Sequence, residues 1–246
     1  MAETAAILNP SKKVVLAEPR AGCPMADMIT AADLAALKKK HPNHTVLCYV
    51  NSTAEVKALS DICVTSSNAV AIARQLPSNQ GIIFVPDKYL GDFVAEKTGR
   101  TLILWNGFCP THARITPDMV RQARAAHPGA LVLIHPEAPR DSRNLADQVL
   151  STGGMCSFVK NSERDEFIIA TEIGILHTLR RQNPEKNFYS VSDAITCPNM
   201  RKGSLASIKN ALEGTGGETI KVPQGIAVKA ERALRKMLEM SGKLYK

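Results

Sequence analysis

A thiol followed by proline occurs three times in this chain, at Cys23-Pro24, Cys109-Pro110 and Cys197-Pro198, with gaps of 86 and 88 residues. The regularity extends to their neighbours. Ile29-Thr30 returns as Ile115-Thr116, His41-Pro42 as His127-Pro128, and Tyr49-Val50-Asn51 falls opposite His135-Pro136-Glu137. A period this long marks a duplicated small domain rather than a solenoid repeat. One thiolate from each of three separate loops suits a 4Fe–4S cluster with one iron left open, since a cubane held by four cysteines has no vacant site. No Cys-x-x-Cys or Cys/His pair is read here, which argues against a zinc ribbon or finger. The plainer alternative is three buried cysteines at equivalent turns of a duplicated fold. Cys48, Cys63 and Cys156 lack both the proline and the period. The first two stand in apolar strands, where cysteine is usually a small core residue.

Two further groups recur at the same phase. Tyr49 and Asn51 close one strand, and His135 and Glu137 close the equivalent strand one repeat later. Polar residues at the carboxyl end of a parallel strand face the crevice where α/β proteins bind ligands. Histidine, glutamate and tyrosine can move protons, and asparagine can orient a carbonyl or carboxylate. Thr65-Ser66-Ser67-Asn68 and Ser151-Thr152-Gly153-Gly154 each end a strand and open a helix. Hydroxyls and free N–H groups there accept phosphate or carboxylate, although ordinary N-capping uses the same residues. The spacing of 86 residues between Ser66 and Thr152 selects Ser66 over Ser67.

These residues need a scaffold, and the pattern supplies one. Short β-branched runs (14–18, 45–50, 62–65, 82–85 and 101–105) read as strands. They alternate with helical stretches at 31–40, 68–76 and 88–97. The second unit repeats the plan, with strands at 131–135, 148–151, 167–171 and 188–191 and helices at 117–126 and 172–181. Thr30, Thr116 and Ser204 are N-caps at matching places, and Pro117 takes a first helical position where its missing N–H costs nothing. Such alternation gives an α/β fold with a parallel sheet in each unit. The units expected are 12–98, 99–186 and a partial third, 187–246. That third unit holds a helix (205–212), a Gly-rich turn, a strand (219–222) and a last helix (227–240). It lacks the remaining strands of a full repeat, so a segment preceding Met1 is expected to complete it.

The 246 residues are 44% hydrophobic and 22% charged, enough for real cores. No apolar run approaches the ~20 residues needed to span a bilayer, and Met1–Pro10 shows no basic stretch followed by a long apolar one, so secretion is not expected. Six cysteines are too sparse for a disulfide scaffold, so a cytoplasmic location with free thiols is expected. The net charge of +8 comes from lysines and arginines scattered over helices. With only 4% aromatic residues and no aromatic–basic interleaving, nucleic-acid binding is not expected. Attraction of small anionic substrates accounts for the charge as well, and solubility alone nearly as well.

At this point Ala21-Gly22-Cys23, Tyr49-Val50-Asn51-Ser52-Thr53-Ala54, Val64-Thr65-Ser66-Ser67-Asn68, Pro86-Asp87-Lys88, His135-Pro136-Glu137, Ser151-Thr152-Gly153, Thr171-Glu172 and Thr196-Cys197-Pro198-Asn199-Met200 stand in order over nearly the whole chain. Together they resemble the motif series of the quinolinate synthase family. The resemblance implies a pseudo-threefold set of three-layer αβα units around a 4Fe–4S cluster held by Cys23, Cys109 and Cys197. It implies condensation of iminosuccinate (iminoaspartate) with dihydroxyacetone phosphate to quinolinate for NAD biosynthesis, with a functional link to L-aspartate oxidase or aspartate dehydrogenase. Tyr49, Asn51, Ser66, His135, Glu137 and Thr152 would line the substrate pocket, with Glu137, His135 and Tyr49 as the catalytic set and the open iron as Lewis acid. Family members also carry an earlier segment with a His, a Tyr and a Ser. The expectation is therefore a shortened chain, with inactivity as one consequence. Two rival readings stand beside this one. A non-catalytic iron–sulfur sensor would keep the cysteines but has no need of Tyr49, Glu137 or Thr152. A cluster-free phosphate-binding α/β protein would hold the cysteines in its core.

Overall fold

The sequence repeat becomes a repeat of sheets. In the computed structural model, which describes residues 1–242, two four-stranded parallel sheets share one strand order. The elements run α1 (Ala2–Leu8), β1 (Val15–Leu16), α2 (Ala31–Lys40), β2 (Thr45–Tyr49), α3 (Ala54–Ala58), β3 (Ile62–Val64), α4 (Ala69–Gln75), β4 (Ile82–Val85), α5 (Lys88–Thr98) and β5 (Leu102–Leu104). They continue with α6 (Pro117–Ala126), β6 (Leu131–Ile134), α7 (Arg140–Arg143), β7 (Gln148–Val149), α8 (Thr152–Asn161), β8 (Glu166–Ala170), α9 (Ile175–Gln182) and β9 (Asn187–Ser190). Last come α10 (Leu205–Glu213), β10 (Glu218–Thr219) and α11 (Gln224–Gly242). The sheets are ordered β3-β2-β4-β5 and β7-β6-β8-β9. The chain divides into two compact units, one formed by Met1–Gly107 with the chain from Pro198 onward, the other by Phe108–Cys197.

In the second unit the two-residue period of the strands sorts side chains onto two faces. Val132, Ile134, Ile168 and Ala170 pack with Ile115, Val120 and Ala123 on one side. Leu133, Phe167 and Ile169 pack with Met155, Val159, Leu176 and Leu179 on the other. Helix α6 thus covers one face and α8 and α9 the other, giving three αβα layers. A parallel sheet covered on both faces explains why these strands read as continuous apolar runs.

The first unit follows the same plan. Val46, Cys48, Ile83 and Val85 pack with Leu34 of α2 and Val56 of α3. Helix α5 approaches the sheet closely at Gly91, where an added Cβ would fall 2.6 Å from Leu104 Cδ2 and 2.9 Å from the Phe84 ring. Helix α11 lies against α3 and β3, tied by the Asn68 amide donating to Ser241 Oγ at 2.9 Å.

Local chemistry repeats with the sheets. Thr30, Thr116 and Ser204 each accept the backbone N–H three residues on, from Asp33, Met119 and Ser207. Asp61 accepts the Val46 N–H at 2.7 Å, and one repeat later Asp147 accepts the Val132 N–H at 2.7 Å. These carboxylates satisfy the first inner N–H of each central strand. Removing one leaves that donor unpaired. Asp147→Ala and Asp61→Ala are each expected to cost about 1–3 kcal/mol and lower the melting temperature by about 3–10 °C, measured by thermal unfolding.

One strand departs from expectation. The pattern puts the run 14–18 among the strands of the first unit's parallel sheet, but β1 pairs antiparallel with β10 through Val15↔Thr219 and Leu16↔Glu218. Its position just before Cys23 matches that of β5 before Cys109 and β9 before Cys197. It is thus in phase with the last strand of each sheet, not the first. The helix expected at 172–181 begins instead at Ile175, because the Glu172 carboxylate accepts the Gly174 N–H at 2.7 Å and holds 171–174 as a turn. Helices α1, α3 and α7 were not anticipated. The final helix is longer than expected, Gln224–Gly242.

Candidate active site

Each Cys-Pro pair leads into a single 3-10 turn, at Ala26–Met28, His112–Arg114 and Met200–Lys202, and each turn leads into a capped helix. The three thiols therefore occupy equivalent places. None of them is a core residue: Cys23 is exposed and Cys109 and Cys197 are half-buried, whereas Cys48 and Cys63 are fully buried. None of the six cysteines is in a disulfide bond. That removes the reading of the periodic cysteines as buried filler.

In the second unit the turn after Cys109 delivers His112 to the end of β6. His112 Nδ1 lies 3.2 Å from Cys109 Sγ and 2.9 Å from Glu137 Oε2. Its Nε2 lies 2.7 Å from Thr171 Oγ1 at the end of β8. The His112 ring stacks on His135, with centroids 4.4 Å apart and planes inclined by 21°. His135 and Glu137 are only 4% and 3% exposed. Their loop is braced from behind, since the Ala138 N–H donates to His135 O at 3.0 Å and Arg143 Nη1 donates to Pro136 O at 3.3 Å.

This burial sets the charges. Burial by itself depresses His112, but the Cys109 sulfur and the Glu137 carboxylate beside it hold it up at about 10. His112 is thus an imidazolium at neutral pH, donating from both ring nitrogens. His135 goes the other way, pushed down to about 4 by burial and by the charged His112, with Glu137 opposing. The cluster pairs one charged and one neutral imidazole around a single buried carboxylate. Two titratable groups driven apart in this way are suited to proton transfer.

Cys197 joins the same neighbourhood through its backbone. Its N–H donates to Glu172 Oε1 at 3.3 Å, so the Thr171-Glu172 turn holds His112 with one residue and the Cys197 loop with the next. Thr152 is exposed in the first turn of α8, where the cap is Ser151, accepting the Gly154 N–H at 3.1 Å. The second unit thus brings Cys109, His135 and Glu137 together around His112. In the first unit Tyr49 is buried at the end of β2, while Asn51 and Ser66 are half-buried in the loops after β2 and β3. Ser67 is exposed, with its hydroxyl 2.8 Å from that of Thr65.

His112 is a residue that the site's chemistry needs and the sequence motifs do not include, and Thr171 stands in the Thr171-Glu172 motif without an assigned role. The signal for His112 was present. Cys109-Pro110-Thr111-His112 is itself a Cys-x-x-His spacing, contrary to the reading that the chain holds no Cys/His pair. The ligand atoms of Cys109, His112 and Glu137 lie within 4.8 Å of one another and could hold a metal ion.

A duplicated αβα scaffold with thiols at equivalent turns outside the core and a buried histidine–carboxylate pair at a strand end defines an enzyme able to bind metal. The family model of quinolinate synthetase A protein matches residues 1–239. The chain is 49% identical over 240 residues to a quinolinate synthase of Dehalococcoides mccartyi, covering 98% of this chain and 79% of that protein. It is 49% identical over 241 residues to one from Caldicellulosiruptor bescii and 48% identical over 240 residues to one from Methanoregula boonei, with the same coverage. The chain belongs to the quinolinate synthase family. Among the described residues no helix is long and apolar enough to cross a membrane.

Proposed function

We propose that this chain condenses iminosuccinate with dihydroxyacetone phosphate to quinolinate, with loss of phosphate and water, in the cytoplasm. The observation that carries the reading is the buried His112–Glu137 pair 2.9 Å apart beside the Cys109 thiol, in a chain of this family. L-Aspartate oxidase or aspartate dehydrogenase would supply the imine.

Cys23, Cys109 and Cys197 are the proposed ligands of a 4Fe–4S cluster. The donor set fits, since the three thiols are outside any disulfide, lie at equivalent turns and are not packed into the core. Such a cluster, with one iron not held by cysteine, supplies Lewis acidity toward a carboxylate or nitrogen ligand. A single ion on Cys109, His112 and Glu137 is the second reading that the geometry allows. It would take Nδ1 of His112 from both of its present partners, and it leaves the equivalence of the other two cysteine turns unexplained.

The chain's own residues then divide the work. Glu137 removes and returns protons during enolisation and dehydration. The imidazolium of His112 orients that carboxylate, and Thr171 fixes the far side of the ring. His135, held neutral, orients substrate by hydrogen bonding. Tyr49 donates or relays a proton, while Asn51, Ser66 and Thr152 position anionic groups of the substrates.

The part from residue 198 onward is proposed to be part of a third αβα unit; it starts later than the expected residue 187 because Asn187–Ser190 is the edge strand of the second sheet. Leu34 and Val120 are fully buried under α2 and α6, yet their repeat-mate Ile208 on α10 is 49% exposed, flanked by exposed Leu205 and Leu212. This is a helix with an apolar stripe but no sheet beneath it among the described residues.

The test is direct. The chain, purified without oxygen, is supplied with dihydroxyacetone phosphate and imine generated in place, and quinolinate is measured by chromatography. Quinolinate formed in proportion to protein supports the reading. A cluster-loaded chain that makes none overturns it for this polypeptide.

A further inference from the structure

A polar knot lies in the core of the first unit beneath the strand end that carries Tyr49 and Asn51. Lys57 of α3 is fully buried and is among the largest fully buried side chains in the protein. Lysine is almost never buried to this degree without partners, because its ammonium loses its water. Lys57 Nζ donates to the carbonyl of Ser52. The Ser52 hydroxyl lies 3.0 Å from Cys48 Sγ. Cys48 in turn pairs in register with Cys63 across β2 and β3, so both thiols project from the same face of the sheet. Ser52 is therefore gripped twice, by helix α3 at its carbonyl and by strand β2 at its hydroxyl. Just beyond it, Thr53 caps α3 by accepting the Val56 N–H, and the Ala54 N–H donates to Glu3 Oε2 at 2.9 Å.

Packing does not require a lysine here. A methionine of similar length would fill the space without desolvating a cation, and apolar replacements of buried charges are often neutral or stabilising. What lysine adds is a fixed donor at the Ser52 carbonyl. Burial holds its ammonium below the usual lysine range, opposed by the Cys48 and Cys63 thiols beside it.

We infer that Lys57 is a positioning residue: with Cys48 it pins Ser52, and through Ser52 it sets the turn that presents Tyr49 and Asn51 to substrate. The inference rests on the proposed role of those two residues as substrate contacts.

Lys57→Met in the full chain tests it, read by thermal unfolding, by hydrogen exchange of the amides of residues 51–53, and by steady-state kinetics. The melting temperature is expected to stay level or rise. Exchange at 51–53 is expected to quicken about tenfold or more, and kcat/KM to fall by about tenfold or more, with iron content unchanged. A folded variant whose exchange and kcat/KM both stay within about twofold of the parent overturns the inference. So does a variant that loses stability but keeps full kcat/KM per folded molecule, since that marks a merely structural lysine. Should Lys57→Met fail to fold, Lys57→Leu, which likewise removes the donor to the Ser52 carbonyl, decides. About threefold faster exchange at 51–53 supports the pin, and parental exchange overturns it. A parent chain that makes no quinolinate defeats the functional reading, while the exchange arm, run without substrate, still shows whether Lys57 holds the turn.

Discussion

Glu137→Gln is expected to lower turnover by about 10²- to 10⁴-fold with iron content unchanged. Glutamine has nearly the same shape, so the loop between β6 and α7 keeps its place. It cannot accept and return a proton, and it no longer offers His112 a counter-charge. The effect is expected in kcat more than in KM, because the lost interaction belongs to the bond-making steps. Glu137→Ala should do further damage. It leaves an imidazolium buried without its carboxylate, a loss of about 3–5 kcal/mol for a buried pair broken on one side, visible as a lower melting temperature. A Glu137→Gln variant turning over at the parental rate would remove this residue from the proposed mechanism.

The second large effect concerns the thiols. Cys23→Ala, Cys109→Ala and Cys197→Ala, each alone, are expected to abolish the brown absorbance of anaerobically loaded protein. Quinolinate synthesis should fall on the order of a thousandfold or more. The fold should survive all three changes, since none of these side chains is buried in the core. Cys48→Ala is the contrasting case. It opens a small cavity in the sheet core and loosens Ser52, so it should cost stability while leaving iron content intact. A Cys197→Ala protein that stays brown and active would contradict the assignment, and so would a colourless parent.

The repeat was legible because it is written in local chemistry. The cysteine–proline pairs, the caps at Thr30, Thr116 and Ser204, and the apolar strand runs each recur at nearly the same interval, and each forms the turn, helix start or strand that its residue types favour. Strand β1 was misplaced because its partner is about 200 residues away in sequence and pairs in the opposite direction. Nothing within Val14–Glu18 records that. The paired aspartates at 61 and 147 also went unread, since an Asp before a strand looks like any turn residue until its N–H partner is known. The polar strand ends marked His135 and Glu137 correctly as neighbours, because they are two residues apart. The centre between them was missed. His112 comes from a different loop, and only the fold stacks its ring on His135 and aims Nδ1 at Glu137. The role of Thr171 follows from that same geometry. The Lys57 knot is the least legible of all, since a lysine in a short helix reads as solvent-facing until its burial is seen.

Under the proposed function the turns at Cys23, Cys109 and Cys197 hold one cluster, and the His112–Glu137 pair moves protons. Iron and sulfide analysis with Mössbauer spectroscopy of the anaerobically loaded chain tests this most directly. About four irons and four sulfides per chain, lost together in each of the three single-cysteine variants, are expected. A single metal ion per chain that persists in Cys23→Ala and Cys197→Ala but disappears in His112→Ala would place the metal on Cys109, His112 and Glu137 instead, and would contradict the account.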